Sequence, residues 1–375
     1  MRVAVFGAGY AGITVARRIE QRLPDADLVV VDEDGTHLVQ QELHRLIRRP
    51  DLADHLSLPV DELLADATVR TARVEEIAPE RRAATLSDGA TVEYDVGAVA
   101  LGAQTAFYGL AGVEEHATPM KQVAHAETVR REFLEHVDDG RVVVGGAGLS
   151  GIQVSGELAA LADDRGRDAT VTLLEQKDRV APALDRRFSR AVAEELADAG
   201  IEIRTGTGVA SADADAIELD DGTRLPYEQF VWTGGIRGTA PFSGDRPEVR
   251  STMVLADRTF VLGDAARVVD REGKLVPATA QAATREGEVV ARSIERLATR
   301  GADGGFEPRL EQFNFRPRGW VASVGDEVVA QVGPAVLTGQ AARTAKAAIS
   351  ARHLAGIGAV RDAFEVATEE LGLAD

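Results

Sequence analysis

The chain has no cysteine, only four lysines and few aromatic side chains, and the first two shortages each remove a class of function. Without cysteine there is no disulfide, no thiolate-held metal, no iron–sulfur cluster and no electron transfer through a thiol. The lysines are Lys121, Lys177, Lys274 and Lys346, and with 42 basic against 61 acidic residues the formal net charge is -19. So acidic a chain is a poor partner for nucleic acid. It suits a protein that works in concentrated salt, where repulsion is screened over short distances, and reads as a halophile's. No run reaches the roughly 18 apolar residues that span a bilayer. The seven histidines show no metal-ligand spacing, so no metal site is expected. Met1-Arg2 leads straight into an apolar strand with no apolar leader region, so a cytoplasmic location is expected.

What the chain does have is glycine, 37 residues of it. The first cluster, Gly7-Ala8-Gly9-Tyr10-Ala11-Gly12, follows the apolar run 2–6. Such a run reads as a strand buried on both faces. Gly7 allows a tight turn, Gly9 lets a pyrophosphate approach the backbone, and Gly12 lets the next helix pack on the strand. A helix is expected from Ala11 to Leu23, before Pro24, then a strand from Leu28 to Val31 that ends in Asp32. A carboxylate there accepts hydrogen bonds from a ribose diol, while the helix N-terminus receives the phosphates. The pattern repeats mid-chain as Gly145-Gly146-Ala147-Gly148-Leu149-Ser150-Gly151, with a helix through about Leu161 and a strand Thr170–Leu174 ending in Glu175. An acid in that place favours a free 2′-hydroxyl, hence NADH over NADPH.

One dinucleotide fold does not need two such turns, so two nucleotides and electron transfer between them are expected. The run 96–102, ending at Gly102, and the run 230–235, ending at Gly235, read as return strands of the two folds. A further strand enters Gly263-Asp264-Ala265, where Asp264 can meet a ribityl hydroxyl and a following helix can meet phosphate. The expected fold class is α/β, with two Rossmann-like domains. The first, 1–112 with 236–305, is split by the second, 113–235, and a small α+β region follows over 306–375.

These residues resemble the flavoprotein reductases with two dinucleotide-binding domains, over nearly the whole chain. Gly263-Asp264-Ala265 with 277–287, Leu149 to Leu158, and Trp232 to Gly235 are similar to stretches of type II NADH dehydrogenases. The resemblance implies FAD in the first domain, with Gly7, Gly9, Ala11, Gly12, Asp32, Gly102, Gly263, Asp264 and Ala280 as contacts. It implies NADH in the second, with Gly146, Gly148, Ser150, Gly151, Glu175 and Gly235. Gln281 matches the family's quinone segment, Lys346 matches a lysine near flavin and quinone, and Glu157 falls beside the nicotinamide. The activity implied is hydride transfer from NADH to flavin and two-electron reduction of a quinone without proton pumping.

Two positions depart from the family's pattern. Arg285 stands where a second glutamine belongs and is expected in a surface pair with Glu286 or Glu288. Gln153 stands for a glutamate and cannot titrate. Missing cysteines exclude the dithiol, sulfide and peroxide reductases of the same group. A soluble ferredoxin-type reductase or diaphorase, and a flavin redox sensor without turnover, stay open. At the C-terminus, strands on either side of Gly325-Asp326 and a helix Thr338–Leu354 are expected. That helix carries Arg343, Lys346, Arg352 and His353 and no acid. It is a candidate for peripheral contact with the inner face of the cell membrane, or for packing on the flavin domain or in a homodimer.

Overall fold

The computed structural model describes residues 1–299 and 308–371. The expected boundary between the second domain segment and the C-terminal region, at 305 and 306, lies outside them. Strand Arg2–Phe6 is buried from Val3 to Phe6 and sits inside a six-stranded sheet. Parallel partners flank it, Asp27–Asp32 on one side and Val96–Val99 on the other. Thr68–Thr71 extends the sheet on one edge, and Thr259–Val261 and Val254–Ala256 on the other, the last antiparallel. The near-continuous valine content is what a parallel sheet covered on both faces requires. Helix Tyr10–Arg22 packs against the long helix Ala280–Thr299 on one face.

A second, fully parallel five-stranded sheet orders its strands Thr118–Pro119, Gln229–Trp232, Arg141–Gly145, Thr170–Glu175 and Glu202–Thr205. All its strands fall between the two chain segments that build the first sheet. The crossings run side by side as a small antiparallel ribbon, Gln104–Thr105 against Ile236–Arg237.

After residue 308 a three-stranded antiparallel sheet, Gly319–Val324, Glu327–Val332 and Ala335–Leu337, turns at Gly325-Asp326 as expected. It packs on helix Leu149–Arg165 at Gly156, where a Cβ would stand 2.3 Å from the Gly325 nitrogen. Helices Gly339–Gly356 and Val360–Glu370 then fold against each other.

One expected element differs. No long helix follows Gly263-Asp264. The segment makes one 3-10 turn, Gly263–Ala265, and goes no further because Arg246 takes the Asp264 and Ala266 carbonyls, at 2.6 Å each, that a helix would turn to N–H groups four residues on. The chain then pairs Arg267–Val268 with Glu248–Val249 before the helix starts at Ala280.

Candidate functional site

The two glycine turns are near copies. Gly7 has φ +98° and Gly146 +96°, a backbone region open to glycine. A Cβ on Gly12 would lie 1.8 Å from the Gly7 carbonyl oxygen, and one on Gly151 would lie 1.8 Å from that of Gly146. These four residues hold the turns from behind. At the mouths, a Cβ on Gly9 or Gly148 would meet no protein atom within 4 Å. Gly9 and Gly148 cap helices Tyr10–Arg22 and Leu149–Arg165, and neither helix has a capping side chain or an acid in its first turn. Nothing on the chain competes there with an anion for the first-turn N–H groups.

The two acids hold the turns as well. Asp32 accepts the Ala8 N–H at 2.8 Å, and its other oxygen accepts from Asp34 and Gly35. Glu175 accepts the Ala147 N–H at 3.0 Å and the Lys177 N–H at 2.9 Å. Asp32 still reaches the large cavity described next, whereas Glu175 is buried at 7% exposure and does not.

That cavity, about 710 Å³, lies where the first sheet, the tip of the second glycine-turn helix and the C-terminal unit meet. Of the residues expected to touch flavin, Gly9, Ala11, Asp32, Gly102, Gly263, Asp264 and Ala280 line it. Ser150 lines it from the second fold, with Gln281 and Lys346 further along. Gly148, Gly235 and Glu157 are not on its wall. Gly235 is covered by Tyr108, whose hydroxyl donates to the Gly234 carbonyl at 3.3 Å. Glu157 points from its helix toward Arg48, 3.9 Å away, and burial pushes its pKa up to about 8 against the pull of that arginine. Its placement beside a nicotinamide is not what this side chain's direction gives.

Gln281 faces the cavity but is bound at both ends. Its oxygen accepts the Arg318 N–H at 2.7 Å and its nitrogen donates to the Gly319 carbonyl at 3.3 Å. Arg285 makes no surface pair with its acidic neighbours. It donates to the Arg316 carbonyl at 2.5 Å and lies over Phe315, 5.5 Å from the ring centre. Glu288 pairs with Arg18 instead, and Glu286 is buried with its pKa raised to about 7 by burial.

The C-terminal helix turns much of its positive charge inward. Lys346 is 7% exposed, 2.8 Å from Glu370 and 3.6 Å from Glu42. Arg343 pairs with Glu327 at 2.8 Å. His353 lies 3.0 Å from His37, whose Nδ1 donates to the Ala8 carbonyl at 2.8 Å, inside the first glycine turn. Arg352 stays exposed on this helix, as does Ile349.

Several polar residues of the cavity carry no motif in the sequence. Lys121, from the second fold, reaches 3.9 Å from Asp264 of the first, and burial draws its pKa down. Glu42 and His44 come from a 3-10 helix, Gln40–Ile47, and Ser323 from the C-terminal sheet. The signal for them is faint: charged residues inside an otherwise apolar run, Leu43, Leu46 and Ile47, that buries as a unit. Among the described residues no group of three or more acids and histidines could hold a metal ion.

Two uncapped helix N-termini behind bare glycines, sharing one cleft, define a reductase of two dinucleotides. The turn mouths are open cradles that a Cβ would enter, so the residues fit a diphosphate at each. The chain belongs to the pyridine nucleotide-disulphide oxidoreductase family, whose model matches residues 1–287. The family's disulphide chemistry is absent here, because the chain has no cysteine. The chain is 25% identical to the type II NADH:quinone oxidoreductase of Staphylococcus haemolyticus, over 97% of this chain and 98% of that one. Among solved structures it resembles the NADH complex of NDH2 from Plasmodium falciparum, with TM-score 0.84 and 14% identity, covering 100% and 99% of the two chains. It also resembles the sulfide:quinone oxidoreductase of Aquifex aeolicus, with TM-score 0.79 and 17% identity, covering 100% and 96%.

Proposed function

We propose that the protein is an FAD-dependent NADH:quinone oxidoreductase that pumps no protons. The observation that carries this reading is the single cavity reached by both glycine-turn helices, with a polar far wall at Gln281 and Lys346. Gly9, with the N-terminus of helix Tyr10–Arg22, would hold the FAD diphosphate, and Asp32 and Asp264 its hydroxyls. Gly148, Ser150 and the N-terminus of helix Leu149–Arg165 would hold the NADH diphosphate. Glu175 places negative charge behind that turn and opposes a 2′-phosphate, which favours NADH over NADPH. The bound flavin would supply the redox chemistry, as acceptor of hydride from NADH and donor of two electrons to the quinone. The chain's own work is orientation, close approach and exclusion of water.

Lys346 would oppose developing negative charge on the acceptor, and Gln281 would fix the strand that closes the cavity. No described helix is long and apolar enough to cross a membrane. Exposed Ile349, Val360 and Phe364 on the last two helices suit peripheral contact with the inner face of a membrane, or with a second copy. A stopped-flow experiment tests the function. NADH is expected to bleach the yellow protein quickly, and a soluble quinone analogue to restore the colour. Restoration by a ferredoxin and not by a quinone would move the protein to the soluble reductases, and no bleaching would leave a sensor.

A further inference from the structure

Between the cavity and the last helix runs a line of buried polar groups that cofactor binding does not use. Glu370, 10% exposed at its side chain, lies 2.8 Å from the Lys346 ammonium. Lys346 donates to the Ser323 hydroxyl at 3.2 Å, and that hydroxyl lies 3.0 Å from His44 Nε2. The Gln153 side-chain amide stands 2.6 Å from His44 Nδ1; with its oxygen turned to the ring it accepts the Nδ1–H, which leaves Nε2 to accept from Ser323. His44, Ser323 and Lys346 are all under 8% exposed, and with Gln153 all of them line the cavity. The members of this line come from separate parts of the chain.

Burying so many polar groups is unfavourable unless each is paired, and apolar side chains would fill the same space more stably. Here the pairing is nearly complete. Glu42 receives the Ser350 hydroxyl at 2.6 Å and neighbours Arg45 at 3.4 Å and Lys346. Burial opposes its ionisation, but Lys346 and Arg45 hold its pKa down at about 2, so it stays a carboxylate that anchors the lysine. Gln153, which meets the line at the cavity, has no proton to lose. The last titratable group before the acceptor is His44.

Resting on the quinone assignment above, we propose that Glu370, Lys346, Ser323 and His44 form the proton path to the acceptor, with His44 as the group that delivers the proton. The overall reaction, NADH + H⁺ + quinone → NAD⁺ + quinol, takes one proton from solution. At His44 the Nδ1–H bond breaks as an O–H bond forms on the acceptor, and in the same step Nε2 takes the proton of the Ser323 hydroxyl, so the ring stays neutral. The Ser323 oxygen recovers a proton from the Lys346 ammonium, which recovers its own from solvent by way of Glu370. Glu42 is a positioning residue that holds Lys346 in line. Burial and the nearby Lys346 charge keep the His44 pKa well below the usual range, so the ring rests neutral and can pass a proton without storing one.

The test compares two acceptors. Ferricyanide takes electrons alone and needs no proton, while a quinone needs one. In His44→Phe and Ser323→Ala the ratio of quinone to ferricyanide turnover is expected to fall at least tenfold. In the wild type, flavin reoxidation by quinone is expected to slow in D₂O, and a pH-indicator dye should report proton uptake in the same step. In Ser323→Ala the dye signal should be delayed together with the slowed reoxidation, and the D₂O effect on that step should not shrink. Ser323→Thr keeps the hydroxyl and should restore the ratio. A ratio unchanged in both His44→Phe and Ser323→Ala, with quinone still reduced, overturns the path alone. A wild-type protein that reduces ferricyanide and no quinone overturns the acceptor assignment and the path with it.

Discussion

The two glycine turns share a backbone and differ in what lies in front of it. The Gly7 N–H donates to the Val31 carbonyl at 2.7 Å, and the Gly146 N–H to that of Leu174 at 2.8 Å. The match extends to the acids, since Asp32 and Glu175 each tie down the alanine after the first glycine of the turn. Yet the first mouth opens on the deep cavity with Asp32 on its wall, while the second offers only the tip of its helix, with Glu175 sealed behind. Under the proposed function, the same phosphate cradle serves a nucleotide held in place and one that arrives and leaves. What separates the two is the surrounding chain.

The largest effect that would break this comparison comes from the bare glycines. Gly9→Val and Gly148→Val add side chains that meet no protein atom at Cβ, so both should fold. Gly9→Val is expected to purify colourless. Gly148→Val should stay yellow, with the NADH KM raised roughly tenfold or more, about 1.4 kcal/mol. Flavin absorbance and steady-state kinetics read both, and the opposite pattern would exchange the two assignments.

Acid titration sharpens the comparison at the first turn, against which the C-terminal helix packs His353. Burial holds the pKa of His37 down at about 4, and burial with His37 beside it holds that of His353 at about 3. Depressed bases bind protons better when unfolded, so their stability is present above 6.5 and lost as pH falls through those values. The Tm should drop over that window, and His353→Phe should lessen the drop.

The buried acids have the opposite sign. Glu286, behind the first fold's Gly263, is raised to about 7 and Glu157, on the second fold's helix, to about 8, both by burial. Stability from such groups is present below 4.5 and lost as pH rises through those values. Glu286→Gln and Glu157→Gln should each flatten the fall of Tm with alkali. The smallest effect is expected from Glu175→Gln, which keeps an acceptor for only one of the two backbone N–H groups. Tm should fall by a few degrees, with a modest gain in NADPH turnover relative to NADH.

Glycine spacing makes both turns legible in the sequence, because only a backbone without a side chain meets those φ values and carbonyl approaches. The acids ending the next strands are legible for the same reason, though their hold on Ala8 and Ala147 is not. The polar wall of the cavity is hidden. Glu42 and His44 sit in a 3-10 segment with no helical or strand period, and their partners lie 308 and 279 positions away. Lys121 meets Asp264 only because the second fold is set into the first. The Gly263 turn misleads as well, since Arg246, which lies outside the segment, takes the Asp264 and Ala266 carbonyls that a helix would have used.

The central claim is that each turn grips its own diphosphate, and it is tested most directly on purified protein under anaerobic conditions. The account predicts one FAD per chain and a flavin band that one equivalent of NADH bleaches. A colourless protein that takes up neither FAD nor NADH when they are added would contradict it.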